Sequence, residues 1–455
     1  MASVPELAAF SEQDDAALRA LQDRVSQAVH SMGPQLPVHA RDVADALVMP
    51  DSSATLPAAA FFQSLTFDRL KEIQGTTFVQ IPKRLEEAFC DAVGVALKGI
   101  VQGQSVDEVV TAWKAFLIIP YLLLFRPPPS LEDESCASLL TDRLDRFWQG
   151  DVESIFREHE TASARTVKTR SKVVGADCAA AKKVKTLARA GETGRALRVS
   201  NGAAQVHITQ QVAQEMAALF TEQADVDGMQ LETDGAATVD RGAYVAVLLK
   251  TIQRLPRLSV PGPLQLRNEH LVVLAGNSAH VGHVASALAT LGDGSAPAVV
   301  IRFLRGGLLV PLEKDDGTYR PLTLSNVLRR TGLKALLQMF KAEVVAAVGD
   351  LQYGIARKSG TDSLQKSLQT RLATFPTSAV GSIDFRAAFQ TVDRAKACQA
   401  VATHAPSLAA SCQVWYMGDA EHSVFDMHGI RHSVSTNVGV DQGCPLGAFM
   451  FATAM

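Results

Sequence analysis

The six cysteines, at positions 90, 136, 178, 398, 412 and 444, are scattered over 455 residues without a CxxC pair. That spacing excludes a disulfide framework or a zinc ribbon and suits a reducing compartment. A secretory signal is lacking too, because the opening MASVPELAAFSEQDDAALRAL has no basic stretch followed by an apolar core. Long hydrophobic runs are missing. The most apolar one, Ala115 to Phe125, contains Pro120 and is far shorter than the roughly 20 residues that span a bilayer. A buried helix, kinked or ended at the proline, is the expectation. No charge dominates: 44 Lys and Arg stand against 47 Asp and Glu, a net of -3, so any nucleic-acid surface has to be local. There is no internal repeat and no endonuclease motif. The expected protein is nuclear or cytoplasmic, not secreted, with no membrane partner.

What is present is ordinary globular composition, 47% hydrophobic and 20% charged, with length for two or three domains. Residues 1 to 160 read as helical, with Leu18, Leu21, Val25 and Val29 at helical spacing, and Val109, Trp113, Phe116 and Leu117 again further on. Loops are expected around Met49 to Ala60 and at Arg126-Pro-Pro-Pro. From 161 to 255 the charge becomes basic: Arg165, Lys168, Arg170, Lys172, Lys182, Lys183, Lys185, Arg189, Arg195 and Arg198 face only Asp177 and Glu192. This stretch either neutralises phosphates or is a solvated helix face or linker. Val212, Met216, Leu219 and Phe220 then mark one more amphipathic helix.

Residues 256 to 455 carry denser signals. His270, His280 and His283 lack a third ligand at metal spacing and read as surface or core histidines. Leu308 to Glu313 and Tyr319 to Leu324 read as a hairpin turning at Asp316-Gly317, with Pro311 and Pro321 demoting both strands to edges. Asn326 caps a helix striped by Leu333, Leu336, Leu337, Phe340, Val344 and Val348, whose other face carries Arg329, Arg330, Lys334 and Lys341. A loop with Arg357 and Lys358 precedes a helix capped at Asp362 and striped by Leu364, Leu368 and Leu372. Ala379 to Phe385 reads as a buried strand ending on a carboxylate, followed by a helix through Ala402. Gln413 to Met417 and His432 to Val438 read as further strands, the latter leading into GVDQGCPLGAFMFATAM, a glycine turn entering an apolar helix.

A carboxylate at a strand end, five residues before an aromatic, suits metal-assisted nucleotidyl transfer: Asp384 can hold Mg²⁺ and Phe389 can wall the sugar of an incoming nucleotide. Lys314 and Arg320 can clamp phosphates, and Gly443 lets the chain pass close to a base pair while Gln442 offers its amide. The stretches LLVPLEKDDGTYRPLTLSNVLRR, LQYGIARKSGTDSL, GSIDFRAAFQTVDR and NVGVDQGCPLGAFMFATAM, in that order, resemble the reverse transcriptases of LINE-type (non-LTR) retrotransposons. KKVKTLARAGETGRAL and PGPLQLRNEHL are similar to the segment preceding the fingers in such elements.

The resemblance implies an α+β chain with a helical N-terminal region followed by right-hand polymerase fingers and an incomplete palm. It makes Asp384 the first catalytic metal ligand and the Phe385 carbonyl a second contact to that Mg²⁺, which Mn²⁺ can replace. Phe389 excludes a ribose 2′-hydroxyl, Lys314 and Arg320 meet the triphosphate, and Gln442-Gly443 lies beside the nascent pair. Arg329, Arg330, Lys334, Arg357 and Lys358 hold nucleic acid. The implied partners are an RNA template, a DNA primer and deoxynucleotide triphosphates. For Phe389 the alternative is a core ring, and for Arg320 a surface pair with Asp315 or Asp316.

Two departures bear on this. Gln390 stands where the family often has Asp, and the next palm motif, an aromatic, any residue, then Asp-Asp, does not occur after Gly443. The expectation is a truncated polymerase, inactive as a fragment, with the apolar face of Ala448 to Met455 exposed. The alternatives are a catalytically dead nucleic-acid-binding remnant, or a helical scaffold in which the motifs are chance.

Overall fold

The computed structural model describes residues 55–127, 135–170, 184–188, 208–220, 239–314 and 316–455. Contacts divide the chain at residue 51, and Ser52–Met455 forms one unit. Met1–Asp51, with the expected Leu18 to Val29 helix, lies outside the described residues, as does most of the basic stretch.

Apolar residues at helical spacing build the first half of that unit: α1 (Ala59–Ser64), α2 (Phe67–Lys71), α3 (Glu86–Gln102), α4 (Val106–Leu124), α5 (Cys136–Trp148), α6 (Val152–Arg170), α7 (Gln210–Ala217) and α8 (Arg241–Gln253). Helix α4 starts where the Ser105 hydroxyl accepts the Glu108 amide, and it runs through Pro120 rather than stopping there. Trp113, Phe116 and Leu117 are buried along it, as their spacing predicts. Among the described residues no helix is long and apolar enough to cross a membrane.

Three helices follow, α9 (Asn268–Gly276), α10 (Val281–Gly292) and α11 (Ala298–Arg305), and lead into the hairpin β1 (Gly307–Glu313) and β2 (Tyr319–Ser325). Both strands lie within a residue of the expected bounds. The four-stranded sheet has the order β2-β1-β3-β4, completed by β3 (Ala420–Phe425) and β4 (Arg431–Thr436). Strand β1 is therefore interior at its start, contrary to the edge position expected from Pro311. Its parallel pairing to β3 is registered only at Leu308 with Ser423, so the proline falls beyond the paired stretch and its missing N–H costs nothing.

The remaining helices are α12 (Val327–Met339), α13 (Lys341–Val348), α14 (Gly360–Thr374), α15 (Ala388–Thr391), α16 (Arg394–His404), α17 (Ala409–Tyr416) and α18 (Pro445–Ala454). Asn326 caps α12 as expected, its side chain accepting the Leu328 amide at 2.9 Å. Gln413 to Met417 belongs to helix α17 and its C-cap, not to a strand, because short apolar runs carry no period long enough to separate the two. Ser359 rather than Asp362 occupies the N-cap of α14. The larger hydrophobic core runs from Phe62 to Met450, with α3 and α4 packed together and α10 bridging from α3 to α12, and a smaller cluster joins Ala213 and Met216 of α7 to Leu309, Val424 and Val434 of the sheet. The fold class is thus α+β, mostly helical with one small mixed sheet.

Candidate functional site

Between β4 and α18 the chain makes a loop, 437–444, in which Gly439 (φ 69°) and Gly443 (φ 124°) adopt backbone angles that cost any other residue strain. Close approach also demands the second glycine, since a Cβ there would lie 2.5 Å from the Thr323 carbonyl oxygen. The Thr323 amide on edge strand β2 donates to the Gln442 carbonyl at 2.9 Å, so the loop is laced to the hairpin. On its other side the Val440 amide donates to Phe389 O (2.7 Å) and the Gly439 amide to Val392 O (3.0 Å). Three of the four motif stretches therefore meet here. Gln442 is half-buried and Gly443 exposed at the surface of the meeting point.

Beneath the loop lies a charged cluster that residue type alone does not disclose. Asp441 is buried, with Oδ2 2.8 Å from the Arg329 guanidinium and Oδ1 3.3 Å from His422 Nε2. Arg329, 1% exposed, also donates to the Arg305 carbonyl and stacks over Trp415 and Tyr416. A second buried guanidinium, Arg394, gathers loop carbonyls by donating to Gly439 O (2.8 Å) and Val438 O (2.9 Å), and reaches Gly418 O (3.1 Å). Burial alone would push the Asp441 carboxyl up, but the guanidinium charges of Arg329 and Arg394 outweigh it and hold it below the ordinary carboxylate range. Burial pushes His422 down, so it sits neutral beside that carboxylate.

Arg329 was expected on a nucleic-acid face, and that expectation is corrected. It lies in the first turn of α12, where Asn326 aims the helix, and this turn points at Asp441 rather than at solvent. Arg330 is half-buried and reaches Val260 O at 3.4 Å. Lys334 is exposed. Arg357 stacks over Tyr353 and donates to Asp350 O at 2.8 Å, and Lys358 is exposed beside it.

At the free end of the hairpin, Lys314 and Arg320 line an open cleft of about 450 Å³ with Leu312, Glu313 and Asp316. Asp316 is taken by the Thr318 amide (2.9 Å) and hydroxyl, not by Arg320. The Phe389 ring is half-buried and stacks on Phe451 of α18 at 4.9 Å, so it packs against the core. Helix α18 itself buries Leu446, Phe449 and Met450 against α12 and α16, which overturns the expected exposure of its apolar face.

The stretch around Asp384 departs most from expectation. Residues 379–385 form no strand, and Ile383 (84%) and Phe385 (54%) are exposed. Among the described residues no strand lies alongside to take their backbone groups, which is why an apolar, β-prone run stays irregular. Asp384 is exposed and has no hydrogen-bond or ion-pair partner among the described residues. A pair of divalent ions about 3.5–4 Å apart needs several carboxylates. Among the described residues no three His, Cys, Asp or Glu side chains gather to hold even one ion.

Asp441, Arg394, His422 and Thr323 are the residues that sequence reading missed. One signal was available: a single acid within the otherwise uncharged run NVGVDQGCPLGAF. No protein-family model matches the chain, and no curated protein matches it significantly.

Proposed function

We propose that residues 256–455 are the fingers and part of the palm of an RNA-directed DNA polymerase of the non-LTR retrotransposon kind. The module holds an RNA template, a DNA primer and a deoxynucleotide triphosphate, and does not complete turnover with these 455 residues alone. One observation carries the reading: the hairpin, the Phe389 helix and the Gln442-Gly443 turn, far apart in sequence, are laced together by three backbone hydrogen bonds. Nucleotidyl transfer needs cations on the triphosphate and a close backbone turn beside the nascent pair. Lys314 and Arg320 supply the first and Gln442-Gly443 the second. The Phe389 ring, held by Phe451, excludes a ribose 2′-hydroxyl. Lys334, Arg357 and Lys358 supply phosphate contacts, with Arg329 withdrawn from that set. Asp384 is a lone carboxylate, so no metal-dependent step is assigned to it.

A second reading, a remnant that binds nucleic acid without catalysing, is favoured by that isolated carboxylate. The full chain, titrated into a fluorescently labelled RNA–DNA primer–template, is expected to bind with an affinity that falls as salt rises. Alanine at Lys334, Arg357 or Lys358 should each reduce the salt slope by about 1. With Mg²⁺ or Mn²⁺ and nucleotides, no primer extension is expected. Extension that disappears in Asp384→Asn would restore the complete enzyme. Failure to bind RNA at any salt would remove both readings and leave a helical scaffold.

A further inference from the structure

We propose that Asp441 is the positioning residue of the Gln442-Gly443 turn: gripped by Arg329 from α12 and His422 from β3, it fixes where that turn meets the hairpin. The functional half of this inference rests on the polymerase reading above; the structural half does not.

The turn needs such a device. Its two glycines leave 437–444 with more conformational freedom than any other residues would, and a single backbone hydrogen bond, Thr323 N–H to Gln442 O, ties its exposed end to β2. Neither Gln442 nor Gly443 is itself buried. What holds the turn lies one residue earlier and points inward. The Asp441 carboxylate meets a guanidinium on one oxygen (2.8 Å) and an imidazole on the other (3.3 Å), brought by two different elements, while Arg394 collects the carbonyls of Val438 and Gly439 just upstream. Arg329 also donates to Arg305 O, immediately before β1. One charge cluster therefore references the turn to the base of the hairpin, to β3 and to α16 together. His422 as a neutral ring with its proton on Nε2 turns that proton toward both Asp441 Oδ1 (3.3 Å) and the Thr436 hydroxyl (3.2 Å), and leaves Nδ1 as an unpartnered acceptor rather than an unpaired buried donor. Asn at position 441 keeps the shape and removes the charge that both donors address.

Hydrogen exchange on the full chain reads the structural half. In Asp441→Asn the Thr323 amide is expected to exchange at least about 10-fold faster than in the unmodified chain, while the Leu117 amide, deep in α4, stays within about 3-fold. Should Asp441→Asn fail to fold, the paired replacement Arg329→Met with Asp441→Leu removes both charges without stranding either. It should keep Leu117 protected and still release Thr323. Thr323 protection unchanged in both variants would overturn the proposal. So would equal loss at Thr323 and Leu117 in both, which is the mark of a merely structural pair.

The functional half is read by comparing primer–templates with a paired and a mismatched primer 3′ end. The unmodified chain should prefer the paired end, and either variant should lose most of that preference with its salt slope unchanged, because phosphate contacts lie elsewhere. A preference retained together with exposed Thr323 would overturn the functional role. If the unmodified chain binds no primer–template at all, the polymerase reading falls, and the exchange experiment still decides whether Asp441 positions the turn.

Discussion

Two buried guanidiniums and one buried carboxylate depend on one another, because each was taken out of water at a cost that only its partners offset. Arg329→Met strands Asp441 and is expected to lower unfolding free energy by about 3–5 kcal/mol in urea melts, whereas adding Asp441→Leu should recover most of it. Buried histidines give a different signature. Burial pushes His159, stacked on Phe125 with neither ring nitrogen bonded, down to about 2, and pushes His270 down to about 4 even though it donates from Nε2 to Phe78 O. Both stay neutral in the fold where the unfolded chain takes up protons, so the stability they allow is complete above pH 6.5 and is lost as pH falls. Each should cost roughly 1–2 kcal/mol between pH 6.5 and 5. His159→Phe should flatten that acid limb in thermal melts across this range; an unchanged limb would contradict the assignment. At this scale the sequence was partly legible. Asn326 as a cap follows from a side chain that can bond its own helix, but the burial of Arg329 depends on an acid 112 positions later, which no local pattern encodes.

Helix α14 shows what periodicity can and cannot say. Leu364, Leu368 and Leu372 fall in step and the helix forms, yet all three are exposed, as are Phe375, Val380, Ile383 and Phe385 after it. Spacing orients side chains along a helix; it does not supply a surface to receive them. Replacing the three leucines by Gln should therefore change stability by less than about 1 kcal/mol, while Leu336→Ala in the buried stripe of α12 should cost about 2–5 kcal/mol. Among the described residues no amide of 379–389 donates a backbone hydrogen bond and no carbonyl of 379–386 accepts one. Limited trypsin or chymotrypsin digestion should cut first within 379–387, at Phe385 or Arg386, and first cuts elsewhere in 239–455 would argue that this segment is covered.

The larger core of Ser52–Met455 is continuous, so helices of the N-terminal half and the last helix share one set of apolar contacts. Phe89→Ala in α3 and Phe449→Ala in α18 should each lower the same thermal transition, by about 3–5 kcal/mol, with circular dichroism and tryptophan fluorescence melting together. Two separable transitions would show the halves to be independent. Taken alone, the sequence determined the elements whose cause is local: the hairpin turning at Asp316-Gly317, the capped start of α12, the helical spacing of α4, and the glycines that a tight approach at 439 and 443 requires. Only the tertiary structure decided which polar groups go inside, which leucines stay outside, and that Thr323, Phe389 and Gln442 meet. Those outcomes depend on contacts between residues tens to more than a hundred positions apart, and a carboxylate or a leucine carries no mark of whether a partner will be there to receive it.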